Sequence, residues 1–251
     1  MSPLPGMEAE GVMRMLTAYE ETVLKEAKRW EKSLSKRSSL LQRSSKQLQK
    51  KINKKIPERV HHVVTESIRK MIELALTSSD YIDTVEISPE ASFREREEMV
   101  HKRLKKYKRT AAIEGAGTGA GGLWLGMADF PLLLSLKMKF LFDVGQIYGF
   151  EVRDYRERMY ILHVFMLAFS SDANQKEVAR ILANWEEEKE KWQEVDWKTL
   201  QLEYRDTIDF AKMLQLLPGV GAIVGAVANT RLLEQLGETA MNCYRLRLLR
   251  D

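Results

Sequence analysis

The sequence predicts an all-α fold, a multi-helix globular bundle with two glycine-rich apolar helical hairpins at its centre. Prolines occupy only six of the 251 positions, so few helix breaks are expected. Alternating β-branched runs are absent, and only residues 81–87 have an extended character. Apolar residues recur instead at helical spacing, and a hydrophobic content of 44% is ordinary for a globular chain of this length.

The first predicted helix runs from about Glu8 into the thirties and enters a segment with concentrated positive charge. Residues 25–59 hold 13 lysines and arginines against three acids, a net charge of +10, whereas the whole chain carries only +4. A basic helix with a narrow apolar stripe favours an anionic partner, namely the inner leaflet of a membrane, a nucleic acid or an acidic protein. Few aromatic residues lie among these charges, which disfavours single-stranded nucleic acid.

We therefore predict a basic N-terminal helical arm over residues 1–56 and a helical core domain over residues 57–251. The alternative for the arm is a solvated helix face that binds nothing. The candidate residues for binding an anionic membrane are Lys36, Arg37, Arg43, Lys46, Lys50, Lys51, Lys54 and Lys55.

The next predicted helix starts at position 57 and places Glu58, His62 and Glu66 on one face. Such a set can bind a metal, but a productive site needs further ligands from another helix, and none can be assigned. Salt-bridged surface residues are the interpretation that we prefer. His163 lies in an apolar run and is predicted to be a hydrogen-bonded core residue. We predict no metal site and no cofactor.

A third helix is predicted to begin at Ser88-Pro89-Glu90, which combines an N-cap, a proline at the first helical position and an acid in the first turn. It leads into residues 115–136, an apolar stretch whose only charge is Asp129.

Glycine dominates the first half of that stretch, but its pattern disfavours a phosphate-binding loop. There is no Gly-x-x-x-x-Gly-Lys-Ser/Thr motif, and no basic residue lies between positions 115 and 136. Glycines four residues apart fall on one face of a helix and let another backbone approach closely. The glycines with this predicted structural role are Gly115, Gly117, Gly119, Gly121, Gly122 and Gly126.

The first glycine-rich helix is predicted to end at Asp129-Phe130-Pro131, which makes the segment a helical hairpin. Asp129 would cap the second helix, and Pro131 would occupy its first turn. Gly149 is predicted to end that second helix as a C-cap. A carboxylate at a break between apolar helices would have a raised pKa, so Asp129 is also the candidate catalytic residue.

Residues 213–230 form a second uncharged stretch, 18 residues long. A break at Pro218-Gly219 precedes a face of small residues that includes Gly221 and Gly225. We predict that the two glycine-rich faces pack against each other or against a common partner. Both stretches fall short of the about 20 apolar residues that a membrane-spanning helix needs, so burial in the protein is preferred.

Three blocks of the sequence together resemble the EcsC family. They are Gly-Ala-Gly-Thr-Gly-Ala-Gly-Gly-Leu-Trp-Leu-Gly-Met-Ala-Asp-Phe-Pro-Leu-Leu-Leu from position 115, Leu-Pro-Gly-Val-Gly-Ala-Ile-Val-Gly-Ala-Val-Ala-Asn from position 217, and Ala-Met-Asn-Cys-Tyr-Arg-Leu-Arg from position 240. The family is named after a protein encoded beside an ABC transporter in Gram-positive bacteria. The resemblance implies an all-helical protein linked to a transporter operon and to the membrane, and it supplies no catalytic residues.

Two functions from different classes follow. The first is a non-enzymatic, membrane-peripheral accessory protein of an ABC transporter system, which docks through the basic N-terminal helix on an anionic membrane surface or a transporter subunit. The alternative is an enzyme whose site lies near Asp129 and the glycine-rich helices. The single cysteine, Cys243, and the lack of a signal peptide at the N-terminus indicate a cytoplasmic protein at the inner face of the cell membrane. The sequence leaves the oligomeric state open.

Overall fold

Helices account for nearly all of the chain that can be described. A computed structural model describes residues 15–40, 58–119, 122–170, 172–192 and 222–250. These residues contain no β-strand and form eight α-helices, which confirms the predicted all-α bundle. The helices are α1 (Ala18–Leu40), α2 (Glu58–Thr77), α3 (Phe93–Gly119), α4 (Gly122–Ile147), α5 (Tyr155–Phe169), α6 (Asp172–Ala183), α7 (Trp185–Glu188) and α8 (Ala222–Leu249). A single 3-10 turn, Lys189–Trp192, follows α7.

The central helix of the bundle is α8, which packs most extensively against α3 and also contacts α1, α4, α5 and α6. Its buried positions recur every four residues, as the sequence pattern predicts, at Leu232, Leu236, Ala240 and Tyr244. Because this stripe is apolar along its whole length, α8 can be surrounded by other helices.

The helices α3 and α8 run antiparallel, and three contacts fix their register. Glu97 pairs with Arg245, and eleven residues further along α3 Lys108 pairs with Glu234. Between these pairs a Cβ atom on Gly237 would come within 3.1 Å of the Leu104 side chain. The glycine therefore allows the two helices to approach closely at the middle of the bundle.

Two helices begin at capping boxes that the sequence analysis overlooked. The Thr17 hydroxyl accepts from the Glu20 amide at 3.3 Å, and the Glu20 carboxylate accepts from the Thr17 amide at 2.8 Å. Ser92 and Glu95 form the same arrangement at the start of α3. The predicted start at Ser88 is therefore wrong, because residues 88–91 form a turn. The predicted first helix is not continuous, because residues 15–17 are not helical, and its predicted start at Glu8 lies outside the described residues.

The predicted helix break at Asp129 and Pro131 is also wrong. Both residues lie inside the continuous helix α4, so Asp129 is not the N-cap of a new helix. Proline lacks only one amide donor, and the helix continues through it here. The preceding helix α3 ends at Gly119, and positions 120 and 121 lie outside the described residues.

The predicted end of α4 at Gly149 is confirmed. Gly149 has a φ of 95°, a conformation that glycine adopts without strain. Its amide donates to the Gln146 carbonyl at 2.8 Å, and the Phe150 amide donates to the Gly145 carbonyl at 3.0 Å. These two bonds define a Schellman motif, which satisfies the last carbonyls of the helix. None of the described helices is both long enough and apolar enough to cross a membrane.

Candidate functional site

The N-terminal helix α1 turns an apolar face inwards and a cationic face outwards. Val23, Ala27 and Leu34 are buried in the core, whereas Lys25, Lys28, Arg29 and Lys32 are exposed. This division follows from the sequence, because the buried residues recur at helical spacing and the cations fall between them.

Most of the exposed cations of α1 keep their charge unpaired. Lys25 lies 3.7 Å from Glu21, but both side chains are solvent-exposed. Lys28, Arg29 and Lys32 form no ion pair with any residue in the described part of the chain. The result is a cationic face on a helix that is itself fixed to the core.

The residues predicted to bind an anionic membrane lie mostly outside the described chain. Lys36 and Arg37 belong to the last turns of α1, although their side chains are not among those described. The remaining six, at positions 43, 46, 50, 51, 54 and 55, lie outside the described residues, as does Gly221. Asp129 lies within α4, and its side chain is likewise outside the description. The domain boundary at residue 56 stays a prediction.

A buried acid, Glu97, holds α1 to the rest of the bundle. Its carboxylate is fully buried and accepts two hydrogen bonds from Arg245, at 2.6 and 2.9 Å. It also accepts from the hydroxyls of Tyr19 at 2.6 Å and Tyr148 at 3.0 Å. Burial and the neighbouring carboxylate raise the pKa of Tyr19 to about 12, so its hydroxyl stays protonated as a donor. Three helices, α1, α3 and α8, and the turn that follows α4 therefore meet at one ion pair.

A second buried acid, Glu157, joins α5 to the C-terminal end of α8. It accepts from Arg247 at 2.7 Å and from the Tyr244 hydroxyl at 2.8 Å. The Arg247 guanidinium also lies 4.1 Å from the centre of the Phe150 ring. Burial raises the pKa of Glu157, so the adjacent guanidinium is what favours its ionised form. Both donors to Glu157 belong to α8, so these hydrogen bonds stabilise the packing of α5 against α8.

His163 is a core residue, as predicted. It is fully buried, and its Nδ1 atom donates to the Met159 carbonyl at 2.7 Å. Burial lowers the pKa of His163 to about 4, so the imidazole is neutral near pH 7. The rings of Trp185 and Trp192 pack against it, at 5.4 and 4.7 Å between centroids.

The predicted surface role of the Glu58, His62 and Glu66 set agrees with the geometry. His62 is exposed, and Glu66 forms an ion pair with Arg69 on the same helix. No group of three or more histidine, cysteine or acidic side chains that could hold a metal occurs among the described residues.

A surface cleft of about 270 Å³ lies between the loop that precedes α3 and the turn that follows α4. Its buried cation, Arg96, donates to the carbonyls of Ala91 at 3.1 Å and Ile147 at 2.8 Å. Because Ile147 is the last residue of α4, Arg96 caps that helix and interacts with the negative end of its dipole. The Arg96 guanidinium, the main charged group of the cleft, therefore has a structural role as a helix cap.

These features define a class of protein: an all-helical bundle held by buried ion pairs, with an exposed cationic face on its first helix. The EcsC protein family model matches residues 21–249, and the chain therefore belongs to the EcsC family. It is 47% identical to Protein EcsC of Bacillus subtilis (strain 168) over 231 residues, which cover 92% of this chain and 97% of that protein. It is also 27% identical to "Uncharacterized protein YdbA" of the same organism over 208 residues, 81% of this chain and 69% of that protein. No solved structure matches the chain.

Proposed function

We propose that this protein is a non-enzymatic, membrane-peripheral accessory protein of an ABC transporter system, and that its basic N-terminal helix docks on an anionic surface at the inner face of the cell membrane. The observation that carries the proposal is the cationic face of α1. Lys28, Arg29 and Lys32 are exposed and form no ion pair in the described part of the chain. Cations that have no ion-pair partner in the described part of the chain keep their attraction for anionic headgroups.

The way in which α1 is held also supports a docking role. Glu26 lies 3.6 Å from Arg245, and Glu31 pairs with Arg250, so two acids of α1 interact with arginines near the C-terminus of the chain. Glu21 is exposed beside Lys25, and the outer face still keeps an excess of positive charge. A rigid cationic face loses less conformational entropy on binding than a flexible tail.

The association with an ABC transporter system is an expectation that comes from the resemblance to the EcsC family. An acidic face of a transporter subunit would satisfy the same cations as an anionic headgroup.

Vesicle flotation tests the docking role of α1. The test variant carries Lys28→Gln, Arg29→Gln and Lys32→Gln, and its control carries three neutralisations of exposed cations elsewhere, at Lys70, Arg153 and Lys176. A lysine or arginine near an anionic membrane contributes about 1 kcal/mol. The test variant should therefore bind vesicles of phosphatidylglycerol and phosphatidylcholine on the order of 100-fold more weakly than the wild type. Equal weakening of both variants would refute docking through α1.

A further inference from the structure

We infer that one end of the bundle is a second membrane contact. It is an apolar tip that enters the outer part of a lipid leaflet, and exposed cations at its base face the headgroups. The apolar tip consists of residues 113–119 of α3, 122–132 of α4 and 222–230 of α8. The inference rests on the proposed membrane association, but it uses a different surface from α1 and can fail separately.

Contacts between described residues bring these three segments to the same end of the bundle. The Lys108–Glu234 pair shows that α3 ends where α8 begins. The Lys137 ammonium donates to the Asn229 side chain at 3.4 Å, which places the first half of α4 beside the start of α8. The tip is therefore built from one helix end and two helix beginnings.

Apolar side chains are exposed at the base of the tip. Ile113 is 73% exposed and Leu132 is 53% exposed, so both aliphatic side chains are open to solvent. The Tyr107 and Phe140 rings meet at 5.5 Å and give a common reference level. Ile113 lies six residues and Leu132 eight residues beyond that level, about 9 and 12 Å towards the same end.

The sequence beyond these two residues is almost free of charge. Residues 115–128 and 222–230 contain no charged residue; of the acids in the tip, Glu114 lies at its base and Asp129 lies about 4.5 Å beyond Leu132. From Ile113 to Gly119 α3 advances about 9 Å, and from Leu132 to Gly122 α4 advances about 15 Å, compared with roughly 15 Å of hydrocarbon in one leaflet. The tip is thus long enough to enter one leaflet and too short to cross the bilayer.

Exposed cations of α3 and α8 lie next to the apolar tip, on its side towards the rest of the bundle. We call this set, Lys105, Lys106, Arg109 and Arg231, the basic collar; all four are exposed, and none forms an ion pair with another described residue. The neighbouring cations Arg103 and Lys108 are paired, with Asp143 and Glu234 respectively. In an anionic membrane the charged headgroups lie outside the hydrocarbon. The cations would therefore contact the headgroups while the apolar tip enters the hydrocarbon.

The collar argues for lipid in preference to a second copy of the chain. Two copies that met through their tips would bring two collars of the same sign together, and like charges oppose such a contact. Anionic headgroups would instead neutralise the collar while the hydrocarbon covers Ile113 and Leu132. The tip lies 15 residues of α8, about 22 Å, from the Arg245 level at which α1 is attached.

Site-specific labelling with an environment-sensitive fluorophore tests the inference. The label is attached to Ile113→Cys or Leu132→Cys in a Cys243→Ala background, and Glu187→Cys is the matched control. Glu187 is exposed beside Glu186, which contacts Arg247 near the other end of α8. With phosphatidylglycerol-containing vesicles, the emission of both tip labels should shift to the blue and be quenched by lipid-borne quenchers, whereas the control label should not change.

The outcomes separate the tip from α1. If the protein floats with these vesicles while the tip labels stay unchanged, the tip inference is refuted and docking through α1 stands. If the tip labels shift with protein concentration in the absence of vesicles, a second copy covers the tip and the inference is also refuted. A variant with Lys105→Gln, Lys106→Gln and Arg109→Gln should bind on the order of 100-fold more weakly than wild type. Unchanged binding by that variant would exclude the collar.

Discussion

Removing the buried acid Glu97 is the sharpest perturbation of the fold, and we expect Glu97→Gln to destabilise the protein by about 3–5 kcal/mol. The substitution keeps the size of the side chain but takes the negative charge away from Arg245, whose side chain is 12% exposed and donates to Glu97 at 2.6 and 2.9 Å. An arginine that has lost its main partner in such an environment pays most of its desolvation penalty uncompensated.

The expected loss is large compared with the whole stability of a domain, which is about 5–15 kcal/mol. For a chain of this length 1 kcal/mol corresponds to about 2–4 °C in the unfolding midpoint, so the melting temperature should fall by roughly 10 °C. Urea unfolding followed by far-UV circular dichroism measures the free energy directly. The matched control is Glu98→Gln, because Glu98 is the next residue, is exposed and pairs only with Arg94 at 3.4 Å.

The control should change stability by less than about 1 kcal/mol, since exposed ion pairs contribute little. A double variant, Glu97→Met with Arg245→Met, should be more stable than Glu97→Gln, because it leaves no buried charge unpaired. If Glu97→Gln were as stable as Glu98→Gln, the claim that this ion pair holds three helices and the turn after α4 together would be refuted.

Two further predictions concern buried groups. The pKa of His163 is about 4 in the folded protein and about 6.5 in an unfolded chain. Between these values only the unfolded state binds the proton, so stability should fall as the pH drops from 6.5 to 4. His163→Gln should flatten that part of the stability profile measured by urea unfolding, whereas exposed His101→Gln should not. Burial raises the pKa of the Cys243 thiol, so it should react with a thiol reagent only at the rate at which the chain unfolds; rapid labelling under native conditions would contradict its position in the core.

Periodic apolar patterns predicted the helices well, because burial of one helix face is written directly into residue spacing. The buried stripe of α8 and the C-cap at Gly149 follow from this local information. The Ser92-x-x-Glu95 pattern also predicts the start of α3. It lies only four residues after the Ser88-Pro89-Glu90 pattern, and both patterns contain a capping residue followed by an acid.

The continuity of α4 and the buried ion pairs could not be read from the sequence. Pro131 predicts a break by its chemistry, but packing against neighbouring helices can hold a helix through a proline. Glu97 and Arg245 lie 148 residues apart, and each sits among other charges that are ordinary surface residues. Only the fold shows which of many acids and arginines meet in the core. The tip also depends on the fold, because its α8 segment begins 90 residues after its α4 segment ends.

The central claim is that this protein docks on an anionic membrane, and a salt titration of vesicle binding by the wild-type protein tests it most directly. Binding to phosphatidylglycerol-containing vesicles should be tight at low ionic strength and should weaken steadily as salt screens the cations of α1 and the collar. Binding to phosphatidylcholine vesicles should be much weaker at every salt concentration. Equal binding to both kinds of vesicle, or no binding to the anionic vesicles at low salt, would contradict the claim.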